Sequence, residues 1–271
     1  MGYSKLGYYF KSFTYLLGRF VLRLNYMTAH SKKYKMRFKF RTEDGGGRLI
    51  YKRGVYEEEL TNYFLKKINL SEGHVVFDIG ANIGWYSNLF SKYFNDIEVH
   101  SFEPDPENYK LLLTNIENNN ALNVIPNNIG IGEKTAVKKL YLYKKSNVGR
   151  HSMLNINEGP TIDVPITTID DYLLEKNIDV KKVKFLKIDI EGFEYFAFLG
   201  GKKLLAQIPT IMAEFSPGYM RKGGLDPKRL LSLLTDYNFK PFVISGLDLK
   251  PIKESELLKR NRNINLLWKK L

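Results

Sequence analysis

The chain has 271 residues, 44% of them hydrophobic, with 42 Lys and Arg against 29 Asp and Glu and no cysteine. This length and apolar content suit one large α/β domain with a buried core, and the missing cysteines exclude disulfides, thiolate zinc centres and cysteine nucleophiles. Charge is unevenly placed: residues 1–41 hold ten of the 42 cations and none of the 29 acids, so beyond residue 41 the net charge is only +3.

The first predicted element is an amphipathic helix. Tyr3, Leu6, Phe10, Phe13, Leu17, Phe20 and Leu24 recur every three or four residues, which places them on one helix face. Lys11, Arg19 and Arg23 interrupt the run, and a bilayer span needs about 20 mostly apolar residues. Two roles are open to this face. It can lie on an anionic membrane with Lys and Arg toward the headgroups, or it can cap the protein's own core. Residues 33–41 alternate, with Tyr34, Met36, Phe38 and Phe40 on one face and five cations on the other, so a strand is expected. Glu43-Asp44-Gly45-Gly46-Gly47 reads as a turn, with 48–52 returning as the partner strand. Aromatics and cations fall on opposite faces, whereas base stacking wants them interleaved on one surface. Residues 1–52 are expected to form a basic extension of helix and hairpin, and 53–271 the main domain.

Tyr56, Leu60, Phe64 and Ile68 mark a helix over 55–69. Strand and helix patterns then alternate: strand 74–79, helix 84–94, strand 97–102, helix 106–119 and strand 123–129. Strand-like pieces at 138–143 and 161–166 lie in an irregular region, 132–167, and a short helix covers 168–176. Strand 183–188, helix 193–206, strand 210–215, helix 226–237 and strands 240–245 and 263–268 complete the chain. Repeated βα units predict a Rossmann-like α/β fold, with a mostly parallel seven-stranded sheet and helices on both faces.

The richest segment is 75–87, Val-Val-Phe-Asp-Ile-Gly-Ala-Asn-Ile-Gly-Trp-Tyr-Ser. A buried strand ends in Asp78, and Gly80, Asn82 and Gly84 follow at alternate positions before a helix starts. Such a turn brings backbone N–H groups close to a ligand. The next strand ends in Glu103, 19 residues after Gly84, where an acid can accept both hydroxyls of a ribose. Dinucleotide folds share that acid, but their G-x-G-x-x-G spacing is absent here. The turn resembles motif I of class I S-adenosylmethionine (SAM) methyltransferases instead.

Further segments are similar to one family, the FkbM-type methyltransferases. They are Phe-Asp-Ile-Gly-Ala-Asn-Ile-Gly at 77–84, Ser-Phe-Glu-Pro-Asp-Pro at 101–106 and Asn-Asn-Ile-Gly-Ile-Gly at 127–132. Thr-Thr-Ile-Asp-Asp-Tyr-Leu at 167–173 and Leu-Lys-Ile-Asp-Ile-Glu-Gly-Phe-Glu at 186–194 follow. The resemblance covers roughly 53–268 and implies O-methylation of sugar or other small-molecule hydroxyls, with SAM converted to S-adenosylhomocysteine. It implies that Asp78, Gly80, Asn82 and Gly84 bed the methionine part of SAM, that Glu103 holds the ribose and that Asn128 lies on the adenine side. A Tyr-Glu pair ahead of motif I matches Tyr56-Glu57 and would close over the cofactor.

An alcohol acceptor needs a positioned base, which contributes about 10²–10⁴-fold. Asp189, at the end of the fourth strand, has the right place, and Glu191 and Glu194 follow it. His151 is a further candidate, because histidine titrates near neutrality. Alternatively Asp189, Glu191 and Glu214 converge as oxygen ligands for Mg²⁺, although nothing in the spacing demands a metal. Glu194 can simply serve the helix N-terminus. Tyr141, Tyr143, Phe215 and Tyr219 are candidates to line an acceptor pocket.

The leading expectation is an O-methyltransferase acting on a glycan or glycolipid hydroxyl. It would be cytoplasmic and peripheral at the inner face of a membrane through residues 1–41. Two alternatives stay open. One is a nucleic-acid methyltransferase, against which the segment Asp-Ile-Glu-Gly stands where base N-methyltransferases show Asn/Asp-Pro-Pro-Tyr/Phe. The other is a membrane-associated nucleotide-binding module without catalysis.

Overall fold

The computed structural model describes residues 5–94, 96–143, 151–156 and 159–271. The chain opens with α1 (Lys5–Leu16), a π-helical turn (Leu17–Val21), the antiparallel hairpin β1 (Tyr26–Ser31) and β2 (Met36–Arg41), and helices α2 (Gly45–Arg53) and α3 (Glu58–Lys67). Next come β3 (Val75–Ile79), α4 (Trp85–Tyr93), β4 (Glu98–Phe102), α5 (Pro106–Asn119) and β5 (Val124–Asn127). A small sheet interrupts the alternation: β6 (Gly130–Ile131), β7 (Ala136–Tyr141) and β8 (Thr161–Thr167). Then follow α6 (Ile169–Glu175), β9 (Val183–Ile188), α7 (Glu194–Leu199), α8 (Lys202–Gln207) and β10 (Thr210–Phe215). The chain ends with α9 (Pro217–Lys222), α10 (Lys228–Asp236), β11 (Phe239–Ser245), β12 (Asp248–Pro251), α11 (Glu254–Leu258) and β13 (Ile264–Lys270).

The main sheet has the order β12-β11-β13-β10-β9-β3-β4-β5. Its centre is parallel, from β10 through β5, whereas β13 runs antiparallel to both β10 and β11. The sheet has eight strands rather than the expected seven, because β12 folds back on β11 as a hairpin at the edge. Both faces of the central strands are covered, so burial there does not alternate; all five residues of β3 are buried. One face packs Phe77, Leu186 and Ile211 beneath α6, α8 and α10. The other packs Val76, Phe185 and Met212 against Phe64, Trp85 and Phe90.

That second core also takes in Tyr15, Phe38, Phe40 and Ile50, so apolar packing runs across residue 52 without a break. β2 buries Met36, Phe38 and Phe40 as the alternation required. Its partner differs from expectation: Tyr26–Ser31 pairs with it, and 48–52 lies in helix α2. Asp44 explains the difference, since its carboxylate accepts the N–H groups of Gly46 and Gly47 and caps a helix that a strand reading overlooked. The cap role expected for the first apolar stripe is also corrected. Tyr15 and Gly18 are buried, whereas Leu6, Phe10, Phe13, Leu17, Phe20 and Leu24 face outward. Tyr3 of that stripe lies outside the described residues. Expected helix 193–206 is two helices, α7 and α8, broken at Gly200, where any Cβ would stand 2.1 Å from the Gly132 carbonyl oxygen.

The chain order turns back between β3 and β9: β4 and β5 lie to one side, β10 and the antiparallel strands to the other. In open α/β sheets, ligands bind at the carboxyl ends of strands at such a switch point. Among the described residues, no helix is long and apolar enough to cross a membrane.

Candidate active site

The turn after β3 is built for close approach. Gly80 has φ +76°, and a Cβ there would lie 2.0 Å from the Asp189 carbonyl oxygen, so the β3 and β9 turns touch. Asn82 also sits in the left-handed region, at φ +51°, which Asn tolerates better than most residues. Its backbone N–H donates to Glu103 Oε2 at 2.8 Å, and the Asp105 N–H donates to Oε1 at 3.0 Å. The acid at the tip of β4 is thereby tied to the glycine turn. Burial and the neighbouring Asp105 carboxylate push Glu103 up to about 8, against the pull of those two N–H groups and of Lys187.

Two adjoining cavities open at this edge. The first is narrow and is lined by Phe102, Glu103, Ile129, Gly130, His151 and Met153. The second, of about 720 Å³, is lined by polar groups from distant segments, among them Asp44, Arg48, Glu214, Asn261, Arg262 and Asn263. Gly80, Asn82, Asp189 and Glu191 line both. The shared wall is thus the pair of turns after β3 and β9.

On that wall, Asp189, Glu191 and Glu214 offer carboxylate oxygens within 4.8 Å of one another. Burial, then Asp189 and Glu191, drive the Glu214 carboxyl well above its ordinary range. Glu214 accepts from Ser216 Oγ at 2.5 Å and from Asn263 Nδ2 at 2.9 Å, and the same Nδ2 stands 3.5 Å from Glu191 Oε2. These oxygens suit a divalent cation chemically, but Asn263 already places a donor between two of the three acids. Glu194 is fully buried and accepts the N–H groups of Ile190 and Gly192, as expected of a residue serving the turn into α7; burial lifts it to about 7.

Four expected cofactor residues stand behind the linings of the two cavities, where they hold the frame. Asp78 is fully buried, accepts from Ser87 Oγ at 2.6 Å and pairs with Lys187 Nζ at 3.4 Å. Gly84, at φ +87°, leads into α4. Asn128 donates to the carbonyls of Glu103 and Pro104, pinning the loop after β4. Glu57 accepts from Tyr86 OH and Asn265 Nδ2, while its neighbour Tyr56 lines the larger cavity. His151, expected as a base, pairs with Asp105 at 2.9 Å on the Glu103 side. Ser152 next to it donates to the Glu191 carbonyl. The 151–156 segment therefore straps the narrow cavity from β4 to β9. Of the candidate aromatics, Tyr219 lines the larger cavity and Phe215 is buried in the core.

Lys187 escaped the sequence reading. It is 4% exposed, donates to the Gly80 carbonyl at 3.0 Å and lines the larger cavity. Burial opposes its charge, but Asp78, Asp189 and Glu57 together raise its pKa. A lysine between Leu186 and Ile188 in a central parallel strand was the available signal, since a fully buried cation is retained only when paired. Asp44, Arg48 and Asn263 carried no such signal, because only the fold brings them to this edge.

A switch-point cleft with a glycine turn, a ribose-type acid and a polar second chamber defines a class I methyltransferase site. Comparison with known proteins agrees and narrows the class. The Methyltransferase FkbM domain matches residues 78–241, and the chain belongs to that family of SAM-dependent methyltransferases. It is 26% identical over 210 residues to the hexuronic acid methyltransferase AglP of Haloferax volcanii, covering 78% of this chain and 80% of that protein. It is 22% identical over 205 residues to the 2-O-methyltransferase NoeI of Sinorhizobium fredii, covering 70% and 80%. The 31-O-demethyl-FK506 methyltransferase FkbM of Streptomyces tacrolimicus is 24% identical over 171 residues, covering 52% and 65%. Among solved structures, a methyltransferase FkbM from Methylobacillus flagellatus superposes with TM-score 0.47 at 19% identity, covering 77% of this chain and 47% of that one.

Proposed function

We propose that the enzyme O-methylates a hydroxyl of a sugar or glycan bound in the larger cavity. The observation that carries this reading is the wall shared by the two cavities. Asp189 and Glu191 face the cofactor side and the polar chamber at once. In this reading the narrow cavity takes the adenosine of SAM, Glu103 holds the ribose and the Gly80–Asn82 turn beds the methionine end. SAM supplies an electrophilic methyl group for in-line displacement, so much of the catalysis is alignment of the acceptor. Asp189 accepts the hydroxyl proton. Glu191 and Glu214 orient the acceptor, and Lys187 steadies the Gly80 carbonyl. Arg48 and Arg262 line the chamber and suit an acceptor bearing a carboxylate, in keeping with the relative that acts on a hexuronic acid. Residues 53–271 form the methyltransferase unit in this reading, with 1–52 as its basic extension.

The test pairs binding with turnover. Wild-type protein and Asp189→Asn are titrated with S-adenosylhomocysteine and assayed with methyl-labelled SAM against neutral sugars, hexuronic acids and lipid-linked glycans. Asp189→Asn should bind S-adenosylhomocysteine normally while transfer falls about 10²–10⁴-fold. Equal loss of binding and turnover would overturn the role given to Asp189, and transfer to no hydroxyl acceptor would overturn the substrate class.

A further inference from the structure

We propose that the outer face of α1 and of the turn after it docks on an anionic lipid surface. At about 100° per residue, Leu6, Phe10, Phe13, Leu17 and Phe20 cluster on one side of the helix and Tyr8, Tyr15 and Gly18 on the other. The structure buries Tyr15 and Gly18, half-buries Tyr8 and exposes the first set: Leu6 is 81%, Phe10 67%, Phe13 64% and Phe20 63% exposed. Tyr9, Leu16, Val21, Leu22 and Leu24 extend the exposed strip. Single exposed apolar residues are ordinary, but a continuous aromatic ridge marks an interaction surface.

Charge decides what covers it. Residues 1–41 carry ten cations and no acid, and Arg23 sits exposed between Leu22 and Leu24. Lys33 pairs with Glu58 at 3.0 Å and Arg41 faces Asp44, but pairing of two copies through the ridge would bring Arg19 and Arg23 together on a segment that holds no acid. An anionic bilayer accepts the apolar ridge into its headgroup boundary and attracts the flanking Lys and Arg. The helix is firmly mounted for this task. Tyr15 OH donates to the Thr42 carbonyl at 2.5 Å, Thr14 Oγ1 meets Tyr51 OH at 3.0 Å, and Lys52 Nζ lies 5.2 Å over the Tyr15 ring. Tyr51 and Lys52 belong to α2, whose Gly46, Arg48 and Leu49 line the larger cavity. Docking therefore holds one wall of the acceptor chamber at the membrane, where a lipid-linked acceptor would be presented. The docking itself stands apart from the methyl-transfer reading and is tested without turnover.

The full chain is sedimented with phosphatidylcholine vesicles, with and without about one-third phosphatidylglycerol. It should bind only the anionic vesicles and leave them in about 1 M salt, where the Debye length shrinks to about 3 Å. A Phe10→Ser, Phe13→Ser, Phe20→Ser variant should lose at least about tenfold in vesicle affinity while its S-adenosylhomocysteine affinity stays unchanged. Binding by that variant equal to wild type would overturn the proposal. So would a wild-type chain that ignores anionic vesicles and forms a dimer that the triple substitution dissolves, which would make the ridge a self-interface.

Discussion

Glu103 makes cofactor affinity depend on pH. Its two oxygens accept the N–H groups of Asn82 and Asp105, and the ionised form is the one that can also accept two ribose hydroxyls. With the carboxyl pushed up to about 8, about 9% is ionised at pH 7 and about 90% at pH 9, and apparent affinity scales with that competent fraction. The dissociation constant of S-adenosylhomocysteine should therefore fall about tenfold between pH 7 and pH 9. The direction for stability is opposite. The unfolded chain releases this proton near the ordinary glutamate value, so the ligand-free fold binds more protons between there and about 8 and loses stability as pH rises through that window. Calorimetric titration at several pH values reads the affinity, beside Glu103→Gln. The glutamine has one acceptor oxygen where two are used, costing about 1–3 kcal/mol or roughly 5–150-fold in affinity, and its pH profile should be flat. A flat wild-type profile, or the same slope in the variant, would refute the reasoning.

Three further outcomes follow from the site. Lys187→Met strips the buried Asp78 of its cation and should cost about 3–5 kcal/mol in urea unfolding; an unchanged midpoint would show that the pair is not structurally needed. Gly80→Ala should lose cofactor binding and about 1–3 kcal/mol from backbone strain alone, because φ +76° and the Asp189 carbonyl leave no place for a methyl group; retained S-adenosylhomocysteine binding would contradict the close approach of the two turns. Chelation by EDTA should leave turnover intact, since the Asn263 amide already donates to Glu214 within the acid cluster; activity lost to EDTA and restored by Mg²⁺ would put a cation among Asp189, Glu191 and Glu214.

What the sequence disclosed follows the range of the interactions involved. Strands 183–188 and 210–215 and helix 106–119 were legible to the residue because their signals are local: short, mostly apolar runs, or Asp105-Pro106 opening a helix that ends on Asn120 in the left-handed region. The glycine turn and Glu103 were legible because a cofactor turn is a contiguous motif. The partner of β2 was not, since 26–31 shows weak alternation and the choice was made by Asp44 capping α2. The cofactor roles of Asp78, Asn128 and Glu57 are implied by the family resemblance. What the sequence could not disclose is the set of partners that only the fold supplies: Ser87 for Asp78, the carbonyls of Glu103 and Pro104 for Asn128, and Tyr86 for Glu57.

The electrostatics of the shared wall tie these roles together. Asp78, Glu57 and Asp189 surround one buried cation, Lys187, and Glu191 and Glu214 add to the negative side. An excess of acid in a buried wall is costly unless a cation arrives or protons are retained. The raised Glu57 and Glu214 carboxyls lean toward the second solution, burial and the neighbouring Asp189 both disfavouring their charged forms. A bound sulfonium would supply the first. In the proposed transfer the hydroxyl proton would pass to Asp189 as the sulfonium gives up its methyl group, so the wall would gain a proton as it lost a cation and its charge would stay balanced through the step. Resetting the wall for another turnover would then require that proton to leave Asp189, which ties proton release to the replacement of product by a fresh sulfonium.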